Sequence, residues 1–195
     1  MPDAKTPAAP ARAPITPAQA VGGLGATVGT CCAALLLYAV PQVESGGKQH
    51  LVPYRDIAGV WTVCDGDTEN VVPGHPETVA GCKVRLDKRL TRDFAPAVLR
   101  RAPALKGHDW PLAAAIVFAY NVGAAGWNSS TAAKRFAAGD YAGGCAALGP
   151  YYTVTDARGH VSTVPGWIKA GGKVSNGLIN RRTAERTLCL TGKLA

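Results

Sequence analysis

No Cys-x-x-Cys pair occurs in this 195-residue chain, and none of its four histidines (His50, His75, His108, His160) stands at a spacing from a cysteine or another histidine that would hold a metal. Zinc sites draw their ligands from such closely spaced pairs, so neither a metal nor any other cofactor is expected, and the histidines read as exposed. Zinc-finger and RNP signatures are also missing, and the basic residues are scattered along the chain. Nucleic acid is therefore not the expected partner. Two local absences matter more. Residues 1–17 are Pro- and Ala-rich and carry almost no large apolar side chains, so they read as a disordered tail. From Ala18 to Val40 there is no charge of either sign.

What the chain does carry is an excess of positive charge, +8 with a pI near 9.4, which calls for an anionic partner such as acidic lipid or the acidic polymers of a bacterial wall. Its length fits one domain of about 150 residues plus an appendage. The six cysteines are Cys31, Cys32, Cys64, Cys82, Cys145 and Cys189. Without metal spacing they fit disulfides formed in an oxidising compartment, and six cysteines allow 15 full pairings.

The uncharged run is long enough to cross a bilayer, for which about 20 residues suffice. It is nonetheless poor in insertion energy. Gly22, Gly23, Gly25 and Gly29 interrupt it, with Thr27, Thr30 and many alanines, and only Leu24, Leu35, Leu36, Leu37, Tyr38 and a few valines favour lipid. Three readings stand side by side: a cleaved signal peptide, a permanent anchor, and an anchor stable enough to insert yet marginal enough to leave. The first lacks a small-x-small cleavage site after its apolar core. The second calls for more Leu and Ile. The third is favoured, with Lys5 and Arg12 of the tail on the inner side and the remainder outside.

Four residues beyond Val40 stands Glu44, and Asp56 follows after a glycine-rich turn. Glycosidic bonds are cleaved by two carboxyl groups with opposed tasks, one protonating the leaving oxygen and one serving as base or nucleophile. The pattern predicts an apolar helix ending at Glu44. A β-hairpin is then expected from Val-Pro-Tyr-Arg-Asp and Val-Trp-Thr-Val-Cys around Ile57-Ala58-Gly59. Thr62 fits a strand, and its hydroxyl facing Asp56 would orient a water. Farther on, Asp109 reads as the N-cap of a buried helix that Gly123 ends, and Ser130 and Thr131 read as a helix N-cap first and a cleft lining second. Arg181, Arg182 and Glu185 read first as a charged helix face.

The segment Tyr54-Arg55-Asp56-Ile57-Ala58-Gly59-Val60-Trp61-Thr62-Val63-Cys64, with Gly66 and Thr68, resembles the active-site hairpin of glycoside hydrolase family 24, the phage lysozymes. The resemblance extends through Phe118-Ala119-Tyr120-Asn121-Val122-Gly123, Trp127, Ser129-Ser130-Thr131 and the closing segment from Trp167 to Cys189, so that residues 44 to 190 are covered. It implies an α+β, lysozyme-like fold: mostly helical, with a small β-hairpin sheet at the active site and an apolar N-terminal helix in front. Glu44, Asp56 and Thr62 would be the catalytic set, and Tyr120, Asn121, Ser130 and Thr131 would touch substrate. Asp56 and Thr62 keep the family's six-residue step, whereas Glu44 lies twelve residues before Asp56 where the family has nine, an excess placed in Ser45-Gly46-Gly47.

Relatives with such an N-terminus are signal-anchor-release endolysins. The organisation implied is a tail over 1–17, an anchor over 18–40 and a catalytic domain over 41–195. Such an enzyme would be a muramidase cutting the β-1,4 bond between N-acetylmuramic acid and N-acetylglucosamine of peptidoglycan. It would act as a monomer, first tethered in the host inner membrane with its N-terminus cytoplasmic, then released into the periplasm when a holin depolarises the membrane. Some relatives carry cysteines like Cys64, Cys82, Cys145 and Cys189, which fits two bridges. Cys31 and Cys32 lie in the anchor, and an anchor cysteine taking part in a redox step of activation is a further expectation. A lytic transglycosylase and a non-catalytic, membrane-tethered wall-binding protein are the rival readings.

Overall fold

Gly29 divides the uncharged run. Glycine has no Cβ and adopts positive φ at little cost. At φ 90° it separates α1 (Pro17–Val28) from α2 (Thr30–Ser45), so the single helix expected over 18–40 is two. The chain is described here from a computed structural model over residues 17–56 and 59–194, with side chains from residue 23; the expected tail over 1–16 and the Ile57-Ala58 part of the hairpin turn lie outside the described residues. Across Gly29 the apolar period continues. Leu24, Val28, Cys32, Leu36 and Val40 recur every four residues and, with Ala33 and Ala39, are all buried in the main core. Among the described residues no helix is long and apolar enough to cross a membrane. The helix α2 runs through Pro41 and stops in a glycine cap: Gly46 at φ 61° and Gly47 donate their N–H groups to the carbonyls of Gln42 and Pro41. The extra residues Ser45-Gly46-Gly47 therefore build the end of the helix, and Glu44 sits in its last turn.

The expected hairpin follows. Strand β1 (His50–Arg55) pairs antiparallel with β2 (Trp61–Cys64), Tyr54 facing Thr62 and Arg55 facing Trp61. A tight turn comes next, in which Val63 and Asp67 exchange backbone hydrogen bonds around Cys64 at φ 58° and Gly66 at φ 86°. Cys64 is bonded to Cys82 in α3 (Val79–Arg89). These two half-cystines and Val63, with Leu51 and Val71 against them, form a small core separate from the main one. The helix α3 passes through a π-helical segment, Leu90–Phe94, into α4 (Ala95–Arg101).

The central helix α5 (Asp109–Ser129) is buried along Leu112–Ala119. His108 holds its cap position without a side-chain bond, and Asp109, expected as the cap, is the first helical residue, where its charge faces the positive end of the helix. Gly123, at φ 77°, breaks the helix as expected. Ser130 caps α6 (Thr131–Ala137), accepting the N–H of Ala133. Then come α7 (Tyr141–Leu148), the hairpin β3 (Tyr151–Thr155) and β4 (Val161–Pro165), the two-residue strands β5 (Lys169–Ala170) and β6 (Lys173–Val174), and α8 (Asn176–Thr191). Cys145 of α7 is bonded to Cys189 of α8, while Cys31 is free and exposed and Cys32 free and buried. The architecture is the expected helical α+β class, with three separate two-stranded sheets among the described residues where one hairpin was expected. Its main core joins α1 and α2 to α5 and α8.

Candidate active site

Because α2 ends in the glycine cap, the side chain of Glu44 emerges where the apolar helix gives way to the turn. It is largely buried and meets Arg181 of α8, whose guanidinium donates 2.5 Å to Glu44 Oε1 and 3.2 Å to the carbonyl of Val43. Burial raises the pKa of Glu44. Arg181, by its charge and its hydrogen bond, and Arg182 pull it down, while Asp65 pushes it up; the net direction is upward. A carboxyl so placed is suited to hold a proton.

Asp56 directly follows β1, and its Oδ1 accepts the N–H of Val60 at 2.9 Å. Thr62 stands opposite Tyr54 in the hairpin, and Asp56 follows just beyond the last pair, Arg55 with Trp61. Thr62 is buried, and its hydroxyl donates to the carbonyl of Val60. A carboxylate that sequence reasoning passed over lies deeper. Asp65, only 3% exposed, accepts from Ser45 Oγ at 2.9 Å and from Gln49 Nε2 at 2.7 Å. Tyr120 of α5 donates its hydroxyl to the backbone carbonyl of Asp65. Burial first, then the negative charge of Glu44, raises the pKa of that phenol and keeps it neutral.

The reading of Arg181, Arg182 and Glu185 as a charged helix face is corrected for two of the three. Arg182 and Glu185 are fully buried and paired at 2.6 Å. The Arg182 guanidinium also donates to Asn121 Oδ1 at 2.8 Å and lies 4.7 Å over the ring of Phe118. Asn121 is thus tied to the interior on its oxygen side while it lines a groove of about 750 Å³ with Gln42, Val43, Ser175 and Arg181. Arg181 joins that groove to Glu44; neither Glu44 nor Asp56 is in its walls. Ser130 is buried and occupied by capping, and Thr131 Oγ1 accepts from the hydroxyl of Tyr152 at 3.0 Å. Among the expected site residues the structure draws Glu44 and Tyr120 toward Asp65, and Asn121 toward Arg182. Ser130 and Thr131 belong to the start of α6. The signal for Asp65 was present only as a charged residue between the half-cystine Cys64 and Gly66.

The family model for phage lysozyme matches residues 44–162. The chain is 34% identical over 183 residues to an endolysin of the signal-anchor-release (SAR) type from Enterobacteria phage PA-2, an alignment covering 90% of this chain and 94% of the relative. A SAR-endolysin of Pseudomonas phage phiKMV is 36% identical over 140 residues, covering 70% of this chain and 76% of its own. Among solved structures, the active form of the P1 phage endolysin Lyz superimposes with a TM-score of 0.65 at 21% identity, over 89% of this chain and 90% of that one. An endolysin from Escherichia coli O157:H7 phage FAHEc1 does so at 0.55 and 24%, over 83% and 94%.

Proposed function

The chain belongs to the phage lysozyme family, and from that premise we propose how its residues perform the family's reaction. It is an endolysin, a glycoside hydrolase that cuts the β-1,4 bond between N-acetylmuramic acid and N-acetylglucosamine of peptidoglycan. In our reading Glu44 is the general acid, protonating the glycosidic oxygen. Asp56, with Thr62 of the same hairpin, holds the water that attacks the opposite side of the sugar. This arrangement inverts the anomeric centre and calls for carboxyl groups roughly 6.5–9.5 Å apart. Tyr120 and Asn121 of α5 and Thr131 at the start of α6 complete the substrate cleft, while the buried Ser130 caps α6 and does not reach substrate. The observation that carries the reading is Glu44, largely buried in the last turn of α2 against Arg181, with its pKa raised by that burial.

Residues 18–40 serve as the anchor that holds the enzyme in the host inner membrane, N-terminus cytoplasmic, before it is released to the periplasm as a monomer. The names of the relatives support this, and so does the lack of charge from Ala18 to Val40. The fold described above, with α1 and α2 packed in the core, corresponds to the released state. While inserted, the anchor would hold Glu44 at the lipid surface, away from Asp56, and the tethered enzyme would be inactive.

The deciding experiment is Glu44→Gln, which keeps size and hydrogen-bonding capacity but cannot donate the proton. Wall lysis is expected to fall about 10²–10⁴-fold, as for other lost general acids. Lysis at the wild-type rate would remove Glu44 from the mechanism. Mass spectrometry of the released muropeptides is expected to show reducing ends; 1,6-anhydro ends would make the enzyme a transglycosylase.

A further inference from the structure

Two features of the link between Glu44 and the hairpin work against a fixed geometry. The turn is three residues longer than the family spacing, and Gly46 and Gly47 lie within it, both at positive φ. A long glycine-bearing turn gains conformational freedom that a catalytic pair spread across it cannot tolerate. The structure closes this turn from the far side, with one carboxylate. Asp65 Oδ1 accepts from Ser45, the residue that ends α2 beside Glu44, and Asp65 Oδ2 accepts from Gln49, the residue before β1.

We propose that Asp65 is a positioning residue of the active site, clamping both ends of the Ser45–Gln49 turn and so setting Glu44 in register with the hairpin that bears Asp56 and Thr62. The proposal rests on the reading of Glu44 as the proton donor. Asp65 is itself held in place from several directions. Its carbonyl takes the hydroxyl of Tyr120 from α5, the preceding residue is bonded through sulfur to α3, and Val63 and Asp67 exchange backbone bonds on either side of it. The clamp is therefore a fixed point to which the end of the apolar helix is tied. The Ser45 hydroxyl, which has one proton, shares it between Asp65 and the carbonyl of Pro41, so the same contact couples the clamp to the last turn of α2. A buried carboxylate accepting two such bonds has no second task visible on its own loop.

The charge of Asp65 adds to its geometry. The ionisable groups that face Glu44 are Arg181, Arg182 and Glu185 from α8, Tyr120 from α5, and Asp65. The two arginines favour the ionised form of Glu44, and Asp65 opposes them. Removing its charge lets Glu44 lose its proton at lower pH, so the alkaline limb of the rate profile, which follows loss of that proton, moves down.

The test uses the released full-length chain on purified peptidoglycan, with kcat and KM measured from pH 4 to 9. Asp65→Asn is expected to lower kcat about tenfold to a hundredfold, the scale of a small misplacement, with KM nearly unchanged. Its alkaline limb is expected at lower pH. The double variant Ser45→Ala/Gln49→Ala keeps the charge and loses the clamp, so its kcat falls while the limb stays in place. Wild-type kcat and limb in both would overturn the proposal. If Asp65→Asn fails to fold, as judged by near-ultraviolet circular dichroism, the double variant decides: a wild-type kcat overturns the clamp and a reduced one supports it. Glu44→Gln run alongside separates the two readings, because an active Glu44→Gln sinks the assignment of the acid, whereas an inactive one beside unaffected clamp variants sinks the clamp alone.

Discussion

Glu44 stands between opposing charges, and in the proposed mechanism their balance sets the pH range in which it acts. Arg181 touches it directly and lowers its pKa, burial and Asp65 raise it, and the net direction is upward. Replacing Arg181 by Gln removes a lowering influence and leaves the burial of Glu44 little changed. Glu44 then keeps its proton to higher pH, and the alkaline limb of kcat moves up, opposite to the shift expected for Asp65→Asn. The loss at the optimum should stay within about tenfold, well short of the ~10²–10⁴-fold cost that the proposed role predicts for Glu44→Gln. A pH–rate profile that keeps its alkaline limb would show that Arg181 does not act on Glu44. The difference in legibility among these charges has a physical origin. The place of Glu44 at the end of the apolar helix was readable because a carboxylate directly after an apolar run is locally conspicuous. The burial of Arg182 and Glu185 was not, since an i, i+3 pair of opposite charges looks the same in sequence whether it faces water or the ring of Phe118.

Elements built from local rules were legible for the same reason: the hairpin from its alternation and turn, the Ser130 cap from its side chain, the break at Gly123 from its missing Cβ. Pairing between elements was not. Nothing in the spacing of Cys64, Cys82, Cys145 and Cys189 chooses among partners, because the choice is made by how α3 meets the hairpin and α7 meets α8. The first bridge has the greater functional weight. It closes a separation of 18 residues within a lobe whose own core is very small, and Asp65 follows it immediately. Replacing both Cys64 and Cys82 by Ser is expected to cost about 3 kcal/mol, or a Tm lower by roughly 6–12 °C for a chain of this size. Activity at 25 °C should fall as well, since the hairpin carries Asp56 and Thr62. Loss of thermal stability with full activity at 25 °C would mean that the hairpin keeps its place without the bridge.

At the scale of the whole molecule, the proposed cycle gives one segment two resting places, the membrane and the core of the domain, and its composition suits both. Leu24, Val28, Leu36 and Val40, which supply much of the affinity of residues 18–40 for lipid, are buried against the domain here. Each contributes ~1.5–3 kcal/mol when fully buried, so together they rival the ~5–15 kcal/mol net stability of an entire domain. In the proposed cycle, four glycines and two threonines would keep the membrane state from winning outright. A tether that did nothing else would be dispensable once the protein is outside. This segment shares the main core with Leu90, Val98, Leu112 and Ile116, and its second helix holds Glu44 in its last turn. A chain lacking residues 1–40, exported by a cleavable signal instead, is therefore expected to be unfolded or molten at 37 °C and without lytic activity, even though it keeps Glu44, Asp56 and Thr62. Export of a folded, fully lytic truncation, judged by circular dichroism and turbidity of a wall suspension, would reduce the segment to an address. Loss of both fold and lysis makes it a part of the enzyme that the membrane withholds.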